Sequence, residues 1–100
     1  MTDTVYSYAQ LKEMLTPVFS HNGVRKAVLF GSYGKGAASS KSDIDLLVDS
    51  GLRGLKFVGL LGEIIETVNK DVDLIDVTHI EKGSRIEREI DATGVLLYEK

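Results

Sequence analysis

Apolar residues first recur at helical spacing: Leu11, Leu15, Val18 and Phe19 fall on one face of a 3.6-residue repeat. Ser7 and Gln10, three apart just before them, have the form of a capping box, so a first helix is predicted to begin near Ser7. Pro17 is expected to kink its interior, or to restart a short second helix with Thr16 as N-cap and the proline in the first position. Asn22-Gly23 ends it, and His21 at that end is expected to do no more than solvate the last carbonyls. The period then changes. Residues 24–30 run from a polar start to a fully apolar finish, the pattern of a strand passing from the surface into a core.

A short helix is predicted over 32–37, then a polar connection over 39–42 and a second strand over 43–49. After the break at 51–54, Leu55, Val58, Leu61, Ile65 and Val68 mark a long helix ending near Asn69. Gly59 and Gly62 weaken it, and their spacing suggests close packing of that helix on a sheet, with a flexible, poorly formed first turn as the alternative. A third strand is predicted over 71–77, with Asp71, Asp73, Ile75 and Val77 on one face and Val72, Leu74 and Asp76 on the other. Thr78 with Glu81 and Ser84 with Glu87 both read as capping boxes. A last helix is expected to start at one of them and end at Gly94, before a short strand over 95–99.

Composition narrows this picture. One hundred residues with 43% hydrophobic content predict a single domain, 1–100, with one core. Twelve basic against fifteen acidic side chains give a net charge of −3, and the basic residues are scattered, so no direct nucleic-acid binding is expected. Cysteine is absent and no apolar run reaches signal-peptide or membrane-spanning length. A cytoplasmic protein with no membrane partner is the expectation.

The chemistry concentrates between residues 29 and 48. In an extended strand Asp43 and Asp45 project to the same side while Ile44, Leu46 and Val48 enter the core. Two carboxylates so close repel one another unless a cation lies between them, and hard oxygen ligands of this kind suit Mg²⁺, which completes its shell with water and substrate phosphate. Gly31-Ser32, at the end of the first strand, supplies a turn where backbone can approach a ligand and where amides and the Ser32 hydroxyl can cradle phosphate oxygens. Lys35 lies on this turn and is carried as a candidate phosphate contact, although a lysine between two glycines is more often a solvated loop residue. The same holds for Lys41.

For these groups to meet, strand one must end where strand two begins, so the two should run antiparallel. A third strand that brings its acids in at its start should run parallel to the second, across the intervening helix. Asp71 and Asp73 share the right face. Asp73 is the choice, because core-facing Val72 and Leu74 lock it in place while Asp71 stands at the strand entrance. Asp76, on the opposite face, and Asp49, at the far end, are expected to be solvated, and His79 is expected to be an exposed loop residue.

Gly31-Ser32, a ten-residue gap and Asp43-x-Asp45 together resemble the signature of the polymerase-beta-like nucleotidyltransferase superfamily. At residue frequencies of roughly 5–7%, four such positions recur by chance about 10⁻³ times in a chain of this length. LFGSYGKG, SDIDLLVD and VDLIDV resemble its minimal, single-domain branch, the MNT proteins. The resemblance implies an α/β fold with a mixed β-sheet flanked by helices. It also implies nucleotidyl transfer from ATP, with two Mg²⁺ ions on Asp43, Asp45 and Asp73, and with Gly31 and Ser32 holding the β- and γ-phosphates. The third acid of that branch sits in a context like Val72-Asp73-Leu74. MNT proteins are antitoxins of two-gene modules whose partner is a helical HEPN ribonuclease. The resemblance therefore implies a hetero-oligomer in which AMP passes to a hydroxyl of that partner, a tyrosine in the reading adopted here. Two other readings stay open: the catalytic subunit of a small-molecule nucleotidyltransferase of the aminoglycoside-modifying type, and an antitoxin that neutralises by contact alone.

Overall fold

The alternation of helical and strand periods is realised in nearly every element. In the computed structural model, which describes residues 4–100, the order is α1 (Tyr8–His21), β1 (Lys26–Phe30), α2 (Gly31–Gly34), β2 (Ile44–Asp49), α3 (Leu55–Val68), β3 (Val72–Asp76), a 3-10 turn (Val77–His79), α4 (Arg85–Thr93) and β4 (Val95–Glu99). Ser7 caps α1 as a full capping box: its hydroxyl accepts from the Gln10 amide at 3.1 Å, and its own amide donates to the Gln10 side chain at 2.8 Å. Pro17 lies inside one continuous helix, so the restart at Thr16 does not occur. Leu11, Leu15, Val18 and Phe19 are buried on both sides of the proline, and this packing carries the helix across the missing donor. The Thr16 hydroxyl turns back to the Lys12 carbonyl at 2.5 Å.

The four strands form one sheet in the order β3-β2-β1-β4. β1 is antiparallel to both β2 and β4, and β2 is parallel to β3 across the fourteen-residue crossover helix α3. Ile44, Leu46 and Val48 of β2 are wholly buried, on one core with α1, α3, Ala27, Leu29 and Leu97. Phe30, 1% exposed, lies on the other face, opposite Asp45 in the β1–β2 register. That face is the one to which α4 brings Ile86 and Glu89, beside Phe30, Asp45 and Asp73.

Three expectations fail here, the first in part. Of the expected stripe of α3 Val68 is buried, but its buried companions are Leu60 and Ile64, and Leu55, Val58 and Ile65 are exposed, Leu55 by 88%. Gly59 and Gly62 lie on the outer side, where an added Cβ would meet nothing within 4 Å, so they do not serve close packing on the sheet. Asp76 is not solvated but 2% exposed. It takes hydrogen bonds from the Ser50 amide (3.1 Å) and hydroxyl (2.6 Å) and from the Thr78 amide (3.1 Å) and hydroxyl (2.7 Å). Burial alone would push its carboxyl up, but these four donors hold it down to about 2. Asp76 thereby fastens the end of β2 to the 3-10 turn. Asp49 is partly exposed and ion-paired with Arg25 at 2.8 Å. Of the two capping boxes, Ser84 caps α4, accepting from the Glu87 amide at 3.2 Å, whereas Thr78 falls within the 3-10 turn.

Candidate active site

The site forms where β1 ends and β2 and β3 begin. Gly31 follows the last residue of β1 and opens α2, a single helical turn shorter than the one expected over 32–37. The Lys35 amide donates to the Gly31 carbonyl and the Ala37 amide to the Ser32 carbonyl. Gly31 has φ of +68°, and a Cβ there would stand 2.3 Å from Asp45 Oδ2 and 3.4 Å from Glu89 Oε1. A side chain at this position would occupy the space of the Asp45 carboxylate. The glycine is required for that close approach as well as for its left-handed backbone.

Asp45 and Asp73 are register partners on the parallel strands β2 and β3, so their side chains rise side by side from the sheet. Asp43 immediately precedes β2 on the same side and is exposed. Burial, then the charge of Asp73 and a hydrogen bond to it, then the charges of Glu89 and Asp43, push the Asp45 carboxyl up to about 6. The groove above these acids, about 440 Å³, is lined by Phe30, Asp45, Asp73, Leu74, Ile75, Ile86 and Glu89, with no lysine or arginine among them.

Hard carboxylate oxygens that repel one another in a groove without cationic side chains make a donor set suited to a divalent cation. Among the described residues no three of them close around one point as a ready-made cage. An open set is compatible with Mg²⁺, which keeps waters and takes substrate phosphate oxygens as ligands. Asp71 is directed elsewhere: its carbonyl accepts from the Ile44 amide at 3.0 Å, and the residue lines a separate hollow with Ile65, Asn69 and Lys70.

Ser32 is partly buried at the start of α2, next to Gly31. Lys35 is exposed at the C-terminal end of that turn, and Lys41 is exposed on the following loop. His79 is exposed at the opposite end of the sheet, where its ring meets Phe57 edge-on at 6.3 Å. A larger hollow of about 680 Å³ lies at that end, among Gly51, Arg53, Phe57, Asp76 and His79, away from the acids.

The sequence reading missed two contributions, both from α4. Glu89 is a third acid facing Asp45, beside Asp73 and Asp43. Thr93 accepts a hydrogen bond from the Gly31 amide at 2.8 Å, so that amide is not free for a phosphate. The phosphate donors of the corner must therefore come from Ser32 and the amides after Gly31. Neither α4 residue carries a motif that would single it out, because the contact joins positions about sixty residues apart.

The family described as "Polymerase beta, Nucleotidyltransferase" matches residues 13–100. A Methanocaldococcus jannaschii protein described as a candidate protein adenylyltransferase is 34% identical over 73 residues, which span 71% of this chain and 78% of that one. Among solved structures, a toxin–antitoxin assembly with AMP-PNP superposes with a TM-score of 0.75 at 22% identity, over 89% of this chain and 73% of the other. The complex of a tri-AMPylated Shewanella oneidensis HEPN toxin with its MNT antitoxin gives 0.70 at 20% identity, over 93% and 73%. At these identities the two structures share the fold with this chain. Among the described residues, no helix is long and apolar enough to cross a membrane.

Proposed function

The chain belongs to the polymerase beta nucleotidyltransferase family, and from that premise we propose that it transfers AMP from ATP to a hydroxyl of a partner protein, acting as the antitoxin of a HEPN-type ribonuclease toxin. The observation that carries the reading is the pairing of Asp45 with Asp73 beside the Gly31-Ser32 corner. Carboxylates and the Gly31-Ser32 turn meet at one end of the sheet, as transfer of a phosphoryl-linked group requires. The M. jannaschii relative supports protein as the acceptor class, and the AMP-PNP and AMPylated-toxin assemblies support the nucleotide and the partner.

In this reading an acceptor oxygen attacks the α-phosphorus of ATP, the bond from that phosphorus to the bridging oxygen breaks, and pyrophosphate leaves. Ser32 and the amides after Gly31 hold the β- and γ-phosphates, with Lys35 near enough along the turn to contribute charge. Asp43, Asp45 and Asp73 would hold two Mg²⁺ ions, which when bound would neutralise the charge of the triphosphate and of the transition state. Asp73, exposed on the edge strand β3, takes the acceptor's proton. No histidine takes part, since His79 lies at the other end of the sheet.

The groove is lined in part by the apolar side chains of Leu74, Ile75 and Ile86. An acceptor must still be held within about 3–3.5 Å of the phosphorus, in line with the leaving group. A folded partner docked over the groove supplies that positioning and excludes water. A tyrosine suits it, being long and rigid, with a phenol that ionises more readily than an aliphatic hydroxyl. The test is to combine this protein, a HEPN-type partner, Mg²⁺ and ATP, and to look for AMP covalently bound to the partner. A partner that stays unmodified while wild-type protein consumes ATP on a small-molecule hydroxyl would favour the aminoglycoside-type alternative.

A further inference from the structure

The last turn of α4 is fastened to the Gly31 corner by its backbone as well as its side chains. Thr93 Oγ1 accepts from the Gly31 amide at 2.8 Å and donates to the Glu89 carbonyl at 2.7 Å. The single hydroxyl proton is thus committed to the helix, and a lone pair is fixed in direction toward Gly31. One turn further along α2, a Cβ on Gly34 would stand 2.3 Å from the Thr93 carbonyl oxygen, so the two backbones are in direct contact there. Glu89, on the same face of α4 one turn earlier, reaches toward both Gly31 and Asp45.

We propose that Thr93 is a positioning residue for nucleotide binding: its hydroxyl holds Gly31 in the left-handed conformation that aims Ser32 and the next α2 amides at the triphosphate. The proposal rests on the reading of Gly31-Ser32 as the phosphate corner. The physical argument is one of hydrogen-bond accounting. A buried amide in a conformation that few residues tolerate needs a partner, and the Thr93 hydroxyl is that partner at Gly31. Without the hydroxyl the amide must find water or the ligand, and either choice rotates the Phe30–Gly31 peptide and with it the φ of Gly31, which sets the direction of Ser32. Thr93 never touches the nucleotide. It acts by fixing the direction of donors that do.

The experiment is calorimetry of the full chain with a non-hydrolysable ATP analogue and Mg²⁺, for wild type, Thr93→Val and Thr93→Ser. Thr93→Val keeps shape and removes the acceptor, and should weaken nucleotide binding about tenfold, the size expected for a buried donor left unpaired. Thr93→Ser restores the acceptor and should bind within about twofold of wild type. In turnover the valine variant should raise KM for ATP with kcat little changed. Mn²⁺ affinity without nucleotide, which reads the acids alone, should not move. If the valine variant does not fold, Thr93→Ala removes the same acceptor and takes its place. Equal affinity in wild type and Thr93→Val or Thr93→Ala overturns the proposal, as does a serine variant as weak as the valine one. Failure of wild type to bind the nucleotide would instead remove the reading of the corner on which the proposal rests.

Discussion

Asp45 Oδ2 stands 2.3 Å from where a Cβ of Gly31 would be, so the carboxylate of β2 fills the space that the glycine at the end of β1 leaves empty. The phosphate corner and the acid pair are thereby one packed unit. Gly31→Ala forces an L-residue to φ of +68° and displaces the carboxylate. The expected cost is about 1–2 kcal/mol of stability, from the left-handed backbone, with transfer abolished. The clash is with the end of a side chain, so Gly31→Ala combined with Asp45→Ala should destabilise by less than the sum of the two single changes. Urea melts of the four proteins check this.

The raised Asp45 carboxyl has a defined consequence for pH. Its pKa is about 6 in the folded chain against 3.8 for the ordinary group. The folded state therefore holds more protons than the unfolded one between those values, and stability falls as pH rises through that window. In chelator-treated protein the melting temperature should decline from about pH 4 to about pH 6 and then level off. Asp45→Asn should remove the decline and melt at an equal or higher temperature than wild type at pH 7, while losing transfer. Asp43→Asn, at an exposed position, should lose transfer with little change in melting. A clear drop in melting temperature for both variants would mean that these acids serve the fold.

Asp76 is the opposite case. Its carboxyl is held at about 2, so its contribution is fully present above pH 4 and fades as pH falls through 2. Asp76→Ala leaves the donors of Ser50 and Thr78 without their acceptor and should cost about 2–3 kcal/mol at pH 7. Because it lies at the far end of the sheet, the fraction that remains folded should transfer AMP at the wild-type rate. Denaturation paired with an active-site titration separates the two effects.

Lys70, 6% exposed, donates from Nζ to the carbonyls of Thr4 at 3.1 Å and Ser40 at 3.0 Å. It ties the loop that leads into Asp43 to the end of α3. Lys70→Met keeps the length and removes the donors, and should cost about 1–3 kcal/mol. Proteolysis within residues 39–42 should quicken in this variant. An unchanged cleavage rate would show that the loop does not depend on Lys70.

The sequence carried the topology and the acids because both rest on local rules. Alternation along β2 assigns Asp45 to one face and Ile44, Leu46 and Val48 to the other, and the crossover helix requires a parallel β3. The stripe of α3 is ambiguous in the sequence because FVGLLGEIIETV is apolar on more than one side. Leu60 and Ile64 satisfy the helical repeat with Val68 as well as Leu61 and Ile65 do, and only the tertiary packing decides which set is buried. Asp76 was read by its charge, whereas its neighbours Ser50 and Thr78 supply hydroxyls that make a buried carboxylate stable. The position of β4 beside β1 and the approach of Glu89 and Thr93 are tertiary contacts with no local signature.

The central claim is that the acids act by transferring AMP to a partner rather than by holding a binding surface together. Incubating a HEPN-type partner with wild-type protein, Mg²⁺ and ATP, and mapping the partner by tandem mass spectrometry, tests it directly, with Asp43→Asn as the control. The account predicts AMP on a tyrosine of the partner and loss of its ribonuclease activity with wild type only. Equal neutralisation by Asp43→Asn, with no AMP on the partner in either case, would contradict it.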